Sequence, residues 1–526
     1  MAEEHEDIPV LIVGAGPAGL MTAVELTRRG VPVRIIEKLE ESSPYSKALG
    51  VWPRTFELFR RIDPTKRMEV LGQYQAGIRC YTDGRELVTL PYTDHARATV
   101  LPQPEVEGFL EAELKSRDVL VERGKELKST YTNDNGDIVA IVNDVGNPQQ
   151  QESISCHYLV GADGASSLVR KERGIEFTGD TYPATFVVAD AHIEGNLDPA
   201  LTHYFCSTQG VMVVSALPNG EYRFFTSALP NQDPDTMDLA ALQQIVDSRA
   251  FTTRIKLRDY SWISAFRVHA RQASRIQDGR VFLVGDAAHI HSPAGGQGLN
   301  TGVADAHNLA WKMAAVYHGK AVERLLDTYA LERRPVATDV VKSADQQTKL
   351  WVLSGRYKVA LRNALLKIAS HTPYFSHVYF PRLAGVRFKY ASMRTRQGRD
   401  GKYVGELIRN CDVFDVRSGK MTSLRLALPD DRYTILIDGP ARRGELSGVL
   451  SGARVLGLEV RTLLRAESRL EVGPRFLSRA ARGLPKKNRV YLVRPDGYVA
   501  YFGDDIGVKT LREITYAAPQ KGESVY

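Results

Sequence analysis

The stretch IPVLIVGAGPAGLMTAVELTRRGVPVRIIEK, residues 8–38, constrains this chain more than any other. IPVLIV is an apolar run too short for a helix and reads as a buried parallel strand. A loop follows with Gly14, Gly16 and Gly19 in GxGxxG spacing, Pro17 and Ala18 standing between them. LMTAVELTRRG then carries apolar residues at helical spacing and a C-cap signal at Gly30. VPVRIIEK gives a second strand that ends at Glu37. Gly14 permits the tight turn, Gly16 lets the backbone approach a pyrophosphate, and Gly19 lets the helix pack closely on the strand. The helix N-terminus offers free N–H groups and about half a positive charge to phosphates. Glu37 lies about 20 residues beyond the glycines, where an acceptor for a ribose 2′-OH belongs. An acid there opposes a 2′-phosphate, so the unit takes NAD or the ADP half of FAD, and NADPH is disfavoured.

A second stretch, GRVFLVGDAAHIHSPAGGQGLNTG at residues 279–302, has the look of another nucleotide loop. It fails the test for one. Gly295, Gly296 and Gly298 follow a proline and a long loop instead of coming directly after the strand. Asp286, at the strand end, accepts hydrogen bonds from sugar-alcohol hydroxyls and would repel a phosphate. A helix expected to start near Leu299 points its N-terminus at a partly negative group, with room for a flat ring above the glycines. A ribityl chain and a flavin ring satisfy both ends, with Asp286 on the ribityl hydroxyls and the Gly298–Asn300 backbone near flavin N1 and O2. The stretch is then the far end of the first cofactor, not the site of a second.

The 526 residues suggest about three domains. SISCHYLVGADGASSLVR, 153–170, reads as strand, turn and helix, and ELKSTYTNDNGDIVAIVND as two strands joined at Asn135-Gly136. From about Tyr182 to Phe266 the strands are short and separated by turn signals, as in an antiparallel sheet inserted into an α/β domain. Helices are expected from Asp305 to about residue 393, and TRQGRDGKYVGE, 395–406, reads as a linker. The expected fold class is α/β: a Rossmann-like FAD-binding domain (1–181 and 267–394, the latter with a helical region), an inserted antiparallel-sheet substrate domain (182–266) and a C-terminal domain (395–526). Four cysteines, no two close in sequence, argue against a CxxC pair, a zinc site and a disulfide framework, and fit a reducing cytosol. The acidic N-terminus lacks a signal-peptide core. No run of about 18 apolar residues spans a membrane. A formal charge of +7 with no Lys/Arg run suits anionic cofactors and not nucleic acid.

Taken in order, Gly14–Gly19, the GADG of residues 161–164, and Gly285-Asp286 with Pro293 and its glycines resemble the three signatures of the single-component flavoprotein aromatic hydroxylases. GVWPRTFELF (50–59) and LPQPEVEGFL (101–110) resemble that family's FAD-contacting segments. VRPDGYVAYFG resembles the end of the thioredoxin-like domain of its phenol hydroxylase and aromatic polyketide hydroxylase branch. The resemblance implies that Glu37 binds the adenosine ribose and that Lys47, Arg54 and Gln103 approach FAD; the family more often has Arg at position 47, and Lys keeps the charge without the fork. It implies that Asp163 serves FAD and NAD(P)H while also capping a helix, that Asp286 binds ribityl, that Pro293 lies at the flavin edge, and that Gly296, Gly298, Leu299 and Asn300 sit under the ring. It further implies transient docking of NADPH or NADH, O2 as co-substrate, and hydroxylation of a phenolic or polycyclic aromatic substrate through a flavin C4a-hydroperoxide.

Tyr222 and Phe224 share one face of a strand, with Arg223 and Phe225 on the other. One face should floor the substrate pocket, and Tyr222 with Phe224 are the candidates. His289 and His291 form an HxH pair without a third ligand nearby, so no metal is expected. Trp262 in YSWISAF lacks the second Trp and the Pro of the flavin halogenase WxWxIP motif. With Cys411 alone, the C-terminal domain cannot exchange dithiols, which leaves a structural or homodimer role. Baeyer–Villiger oxygen insertion or epoxidation shares the same flavin loops and stays open. So do a flavoprotein that protects an unstable intermediate and a plain FAD oxidase.

Overall fold

The computed structural model describes residues 8–43, 48–147, 149–207, 210–229, 237–250, 254–353, 355–394, 403–416, 418–438, 447–465, 475–478, 489–503 and 506–516. Lys47 and residues 395–402 of the expected linker lie outside them. The chain forms two compact units: residues 1–24, 33–306 and 337–386 make the first, and 25–32, 307–336 and 387–526 the second.

The first unit is built on a sheet whose centre is Ile8–Val13. That strand is apolar throughout and buried from Val10 to Val13, because parallel neighbours flank it on both sides. Val33–Glu37 pairs with it on one side and Gln151–Gly161 on the other, both parallel. Val281–Leu283 extends the sheet beyond Gln151–Gly161 and Val121–Arg123 extends it beyond Val33–Glu37. Ile8–Val13, Val33–Glu37 and Gln151–Gly161 thus end together, and the loops that follow them share one rim. The strands Lys125–Thr132 and Ile138–Asp144 pair around Asn135-Gly136, with Gly136 at φ 83°.

A second sheet of eight strands carries the central region. It runs wider than 182–266. The ribbon Phe177–Glu194 and Lys256–Ala273 forms its long edge, and the hairpin Gly77–Thr82/Arg85–Pro91 joins its far side through a parallel pairing with Leu201–Ser207. Nothing local in residues 77–91 announces a partner more than 100 residues away, so only the assembled sheet reveals it.

The two faces of this sheet differ. One carries Phe224, Tyr81, Phe205, Met212, Val214, Ala189 and Ala191, packed under the helix Leu239–Ala250 through Leu242, Val246 and Ala250. Phe224 is fully buried there, and Tyr222 packs against the same cluster with its hydroxyl donating to the Leu197 carbonyl at 3.3 Å. Tyr222 and Phe224 are therefore core residues and not the floor of a pocket. The helix covers the centre of that face. Arg223 and Phe225 lie on the other one. Cross-strand register places Val188, Val213, Tyr204 and Cys80 on the same side as Phe225. Cys80 and Tyr204 in turn pack with Trp52, Phe380 and Leu383.

The second unit has a seven-stranded mixed sheet. Thr434–Asp438 is parallel to Glu459–Arg465 and antiparallel to Arg489–Val493, which is antiparallel to Val499–Gly503. Trp311, Leu325, Ile435, Ile437, Val490 and Leu511 form its core. Beside that core Arg494 forks onto Glu332 at 2.5 and 2.9 Å and onto Asp496, while Lys312 reaches Glu332 at 2.8 Å. All four charges are buried and mutually compensated, the condition under which such a cluster is tolerated.

The two sheet faces make opposite forecasts. Phe224→Ala is expected to cost about 3–5 kcal/mol of unfolding free energy through the cavity it leaves, read by urea denaturation, without altering substrate KM in whatever enzyme remains folded. Phe225→Ala, at a half-buried position on the opposite face, is expected to cost less stability and to raise KM. The reverse pattern would return the pocket to the Phe224 face.

Candidate functional site

Three stretches far apart in sequence meet at one rim of the first sheet. Gly14, at φ 104°, occupies the left-handed region, and a Cβ there would stand 2.4 Å from the Ala162 carbonyl oxygen. A Cβ on Gly19 would stand 2.0 Å from the Gly14 oxygen. A Cβ on Gly285, φ 58°, would meet the Ala18 methyl at 2.8 Å. Gly14 is thus dictated by the second motif, whose backbone crosses directly against it, Gly19 by the fit of its helix on Gly14, and Gly285 of the third motif by Ala18 of the first. Gly16 and Gly298 behave otherwise: a Cβ on either meets no atom within 4 Å. Both border open space, as a backbone cradle for a ligand must.

Around that space the acids take separate stations. Glu37, at the end of its strand, accepts hydrogen bonds from the Ala15 N–H at 2.8 Å and the Leu39 N–H at 3.0 Å. Gln103, the first residue of the helix Gln103–Lys115, donates its amide to Glu107 at 2.8 Å. Glu107 was not anticipated from the sequence. Burial raises its carboxyl, and Glu37 adds like charge against Gln103 and Arg123, so these four side chains form one cluster. Arg123 is opposite Glu37 in the strand register, a non-local pairing no local pattern exposes. Asp163 accepts from the Leu168 and Val169 N–H groups at 2.7 and 3.1 Å and so caps the short helix Leu168–Glu172; burial raises its carboxyl. Arg54 is buried and ion-paired with Glu57 on its own helix.

The far end is framed by Asp286, which is exposed while Gly285, Ala287 and Ala288 around it are buried. Its turn is pinned by Asp305, which accepts from the Gly285 N–H at 3.3 Å and pairs with His289 at 2.7 Å. Pro293 is exposed, and its carbonyl accepts the Gly296 N–H at 2.9 Å to close the turn into the glycines. Leu299 is buried, which leaves only its backbone to face a ligand. The Asn300 side chain clamps two loops: its amide donates to the Gly50 and Gly296 carbonyls at 2.8 and 2.7 Å, and its oxygen accepts from the Trp52 N–H at 2.9 Å and the Thr55 hydroxyl at 2.7 Å. Trp52 completes the clamp by donating its indole N–H to the Gly295 carbonyl at 2.9 Å. The clamp went unread in the sequence because its halves are about 250 residues apart.

His291 is held by its Nδ1, 2.8 Å from the Ser292 carbonyl. A carbonyl only accepts, so Nδ1 carries the proton and Nε2 presents a lone pair. Nε2 is buried without a hydrogen-bond partner. Burial pushes this imidazole down to about 4.

A dinucleotide-binding strand–turn–helix unit with glycine turns that border open space is the framework of an FAD-binding flavoprotein. The chain belongs to the FAD-dependent flavoprotein monooxygenases: the family described as FAD binding domain matches residues 7–344. It is 32% identical over 97% of its length to the 6-methylpretetramide 4-monooxygenase of Streptomyces rimosus, of which it covers 93%. It is 31% identical over 94% of its length to the rifampicin monooxygenase of Rhodococcus hoagii, covering 95% of that protein. Among solved structures it resembles CabE, an aromatic hydroxylase from angucycline biosynthesis, with TM-score 0.76 and 28% identity over 98% of this chain and all of the other.

The glycines separate structural from ligand-facing roles. Gly16→Ala is expected to fold with stability within about 0.5 kcal/mol of the parent and to lose bound flavin, read as flavin absorbance per protein; Gly14→Ala is expected to lose stability and flavin together. His291 yields a pH forecast for the cofactor-free protein. Its folded value lies below the ordinary one, so protonation favours unfolding. Stability is full above about pH 6.5 and falls as pH drops toward about 4. Linkage sets the loss at about 2 kcal/mol by pH 5, and His291→Asn should abolish that portion of the pH dependence in urea titrations.

Proposed function

We propose that this protein uses NAD(P)H and O2 to hydroxylate a phenolic or polycyclic aromatic substrate lying on the sheet face that carries Phe225. The observation that supports this reading most is the contrast between the two sheet faces. A helix closes one face. The other presents the half-buried Phe225 and the exposed Phe266, 6.5 Å apart between centroids, over the buried Phe186, which lies parallel to Phe225 at 5.2 Å. Flat apolar rings of this kind favour offset stacking with a planar aromatic ligand. Next to them Arg223 forks onto Asp190 at 2.7 and 2.6 Å and lies 5.7 Å from the Trp262 ring, a buried polar corner at the edge of an apolar floor.

Bound FAD supplies the reduction by nicotinamide and the activation of oxygen. The chain's own residues hold it and shape the reaction around it. Gly14–Gly19 and the helix N-terminus behind them would bind the pyrophosphate, Glu37 would orient the ribose, and Asp286 would take the ribityl hydroxyls. The N-terminal N–H groups of the helix Gly298–Tyr317 would favour negative charge on a ring held beside them. The Asn300–Trp52 clamp keeps the ring-bearing loop in place, and the phenylalanine floor excludes water from the reacting face. The resemblance of the relatives' names to this substrate class supports the aromatic reading. The order Val499–Gly503, Arg489–Val493, Thr434–Asp438, Glu459–Arg465, with only Arg489–Val493 antiparallel to the rest, supports a thioredoxin-like C-terminal domain without redox cysteines.

The test is NAD(P)H consumption by the FAD-loaded protein across a panel of phenols and aromatic polyketides, with product mass determined under labelled dioxygen. Stimulated consumption and one labelled oxygen on a ring carbon are expected. Insertion next to a carbonyl would mark Baeyer–Villiger chemistry instead, and no stimulation by any aromatic would favour a binding role.

A further inference from the structure

The helix Arg356–Ser370 has two apolar faces, and only one is used by the fold. Val359 and Arg362 are buried, and Leu366 packs on the cluster of Trp52, Ile78 and Cys80. Asn363 adds an anchor to the Thr82 hydroxyl at 2.9 Å. On the outer side Tyr357, Leu361, Leu365 and Ile368 are 90%, 62%, 56% and 65% exposed. Their spacing of four, four and three places them in one stripe. At 3.6 residues per turn Arg356 and Lys367 border one edge of that stripe and Lys358 the other. All three are exposed. Tyr374 and Val378, just beyond the helix, are exposed as well.

The charge around the stripe is one-sided. Residues 346–386 contain no Asp or Glu and six basic residues, Lys349, Arg356, Lys358, Arg362, Lys367 and Arg382. Only Arg362 is turned inward; the other five are exposed. A second copy docking stripe to stripe would set Lys and Arg against Lys and Arg. An occupant must therefore combine an apolar layer with negative charge on both flanks. Lys349 is paired with Asp345, and the remaining exposed cations lie on both flanks of the stripe and beyond the helix at Arg382, which matches an extended anionic plane better than a single acidic contact.

We propose that the helix Arg356–Ser370 docks this protein on the surface of an anionic phospholipid bilayer, its Tyr-Leu-Leu-Ile stripe entering the headgroup boundary and its Lys and Arg flanks engaging lipid phosphates. No helix among the described residues is long and apolar enough to cross a membrane. At 15 residues, with its opposite face occupied by protein, this one lies in the plane of the interface. The proposal stands apart from the hydroxylase reading, since neither the flavin groove nor the Phe225 face supplies any of its residues.

Co-sedimentation of the full FAD-loaded chain with vesicles tests it. Binding is expected to vesicles of phosphatidylcholine mixed with phosphatidylglycerol, and not to phosphatidylcholine alone, and to weaken as salt is raised. Leu361→Ser/Ile368→Ser and Lys358→Glu/Lys367→Glu should each lower the bound fraction about fivefold or more, with flavin content, melting temperature and NAD(P)H consumption in free solution unchanged. The charge-reversed pair lies wholly on the surface, so it decides the matter even if the serine pair folds poorly. Absence of binding to the anionic vesicles, or wild-type binding by the charge-reversed pair, would overturn the proposal. So would a dimer in sedimentation equilibrium that the serine pair dissociates, which would make a second copy the occupant.

Discussion

The backbone crossing at Gly14 and Ala162 is the contact on which the first unit depends. Two parallel strands end side by side, and the chain leaving one passes so close to the chain leaving the other that a single methyl would collide with a carbonyl at 2.4 Å. Close packing at this crossing sets the start of the first helix. Gly19 then seats that helix against Gly14, and Ala18 receives the Gly285 turn. The groove for the cofactor is what remains open along this rim. A phosphate-binding loop is often credited to its own glycines; here Gly14 is required by the chain crossing at Ala162 and Gly19 by the fit of its helix on Gly14, while Gly16 alone of the three borders open space.

The second constraint is the clamp at Asn300. One side chain satisfies two carbonyls, one N–H and one hydroxyl, and so fixes the loop before Trp52 to the loop before the helix Gly298–Tyr317. A half-buried amide with its donors and acceptors engaged is a rigid device. It holds the ring end of the groove as firmly as the glycine crossing holds the phosphate end. Asp305 and His289 do the same for the turn that exposes Asp286. These supports lie behind the residues that face the cofactor, which is how a site built from loops keeps its geometry.

Much of this was legible in the sequence, and the illegible part has a consistent cause. The glycine spacing, the strand that ends at Glu37 and the acid at 286 are local signals, because turn chemistry and helix entry are decided within a few residues. The clamp, the Glu107–Arg123 neighbourhood of Glu37 and the hairpin 77–91 depend on pairing across 80 residues or more. The choice between Tyr222 with Phe224 and Arg223 with Phe225 failed for a sharper reason. Alternation along a strand separates two faces but does not say which one a helix will cover. The helix Leu239–Ala250 covers the Phe224 side.

By itself the sequence determined the dinucleotide-binding unit at residues 8–37 and FAD as its cofactor. Those properties are written in short stretches whose backbone conformation admits only certain residues. It also determined the hydroxylase family, through three motifs in fixed order. Tertiary structure alone decided which face of the central sheet the helix Leu239–Ala250 covers, which glycines are held against protein and which border open space, and that one basic helix keeps an apolar stripe in solvent. Each of these is a question of what packs against a given face, and that is settled only when distant segments compete for the same buried surface.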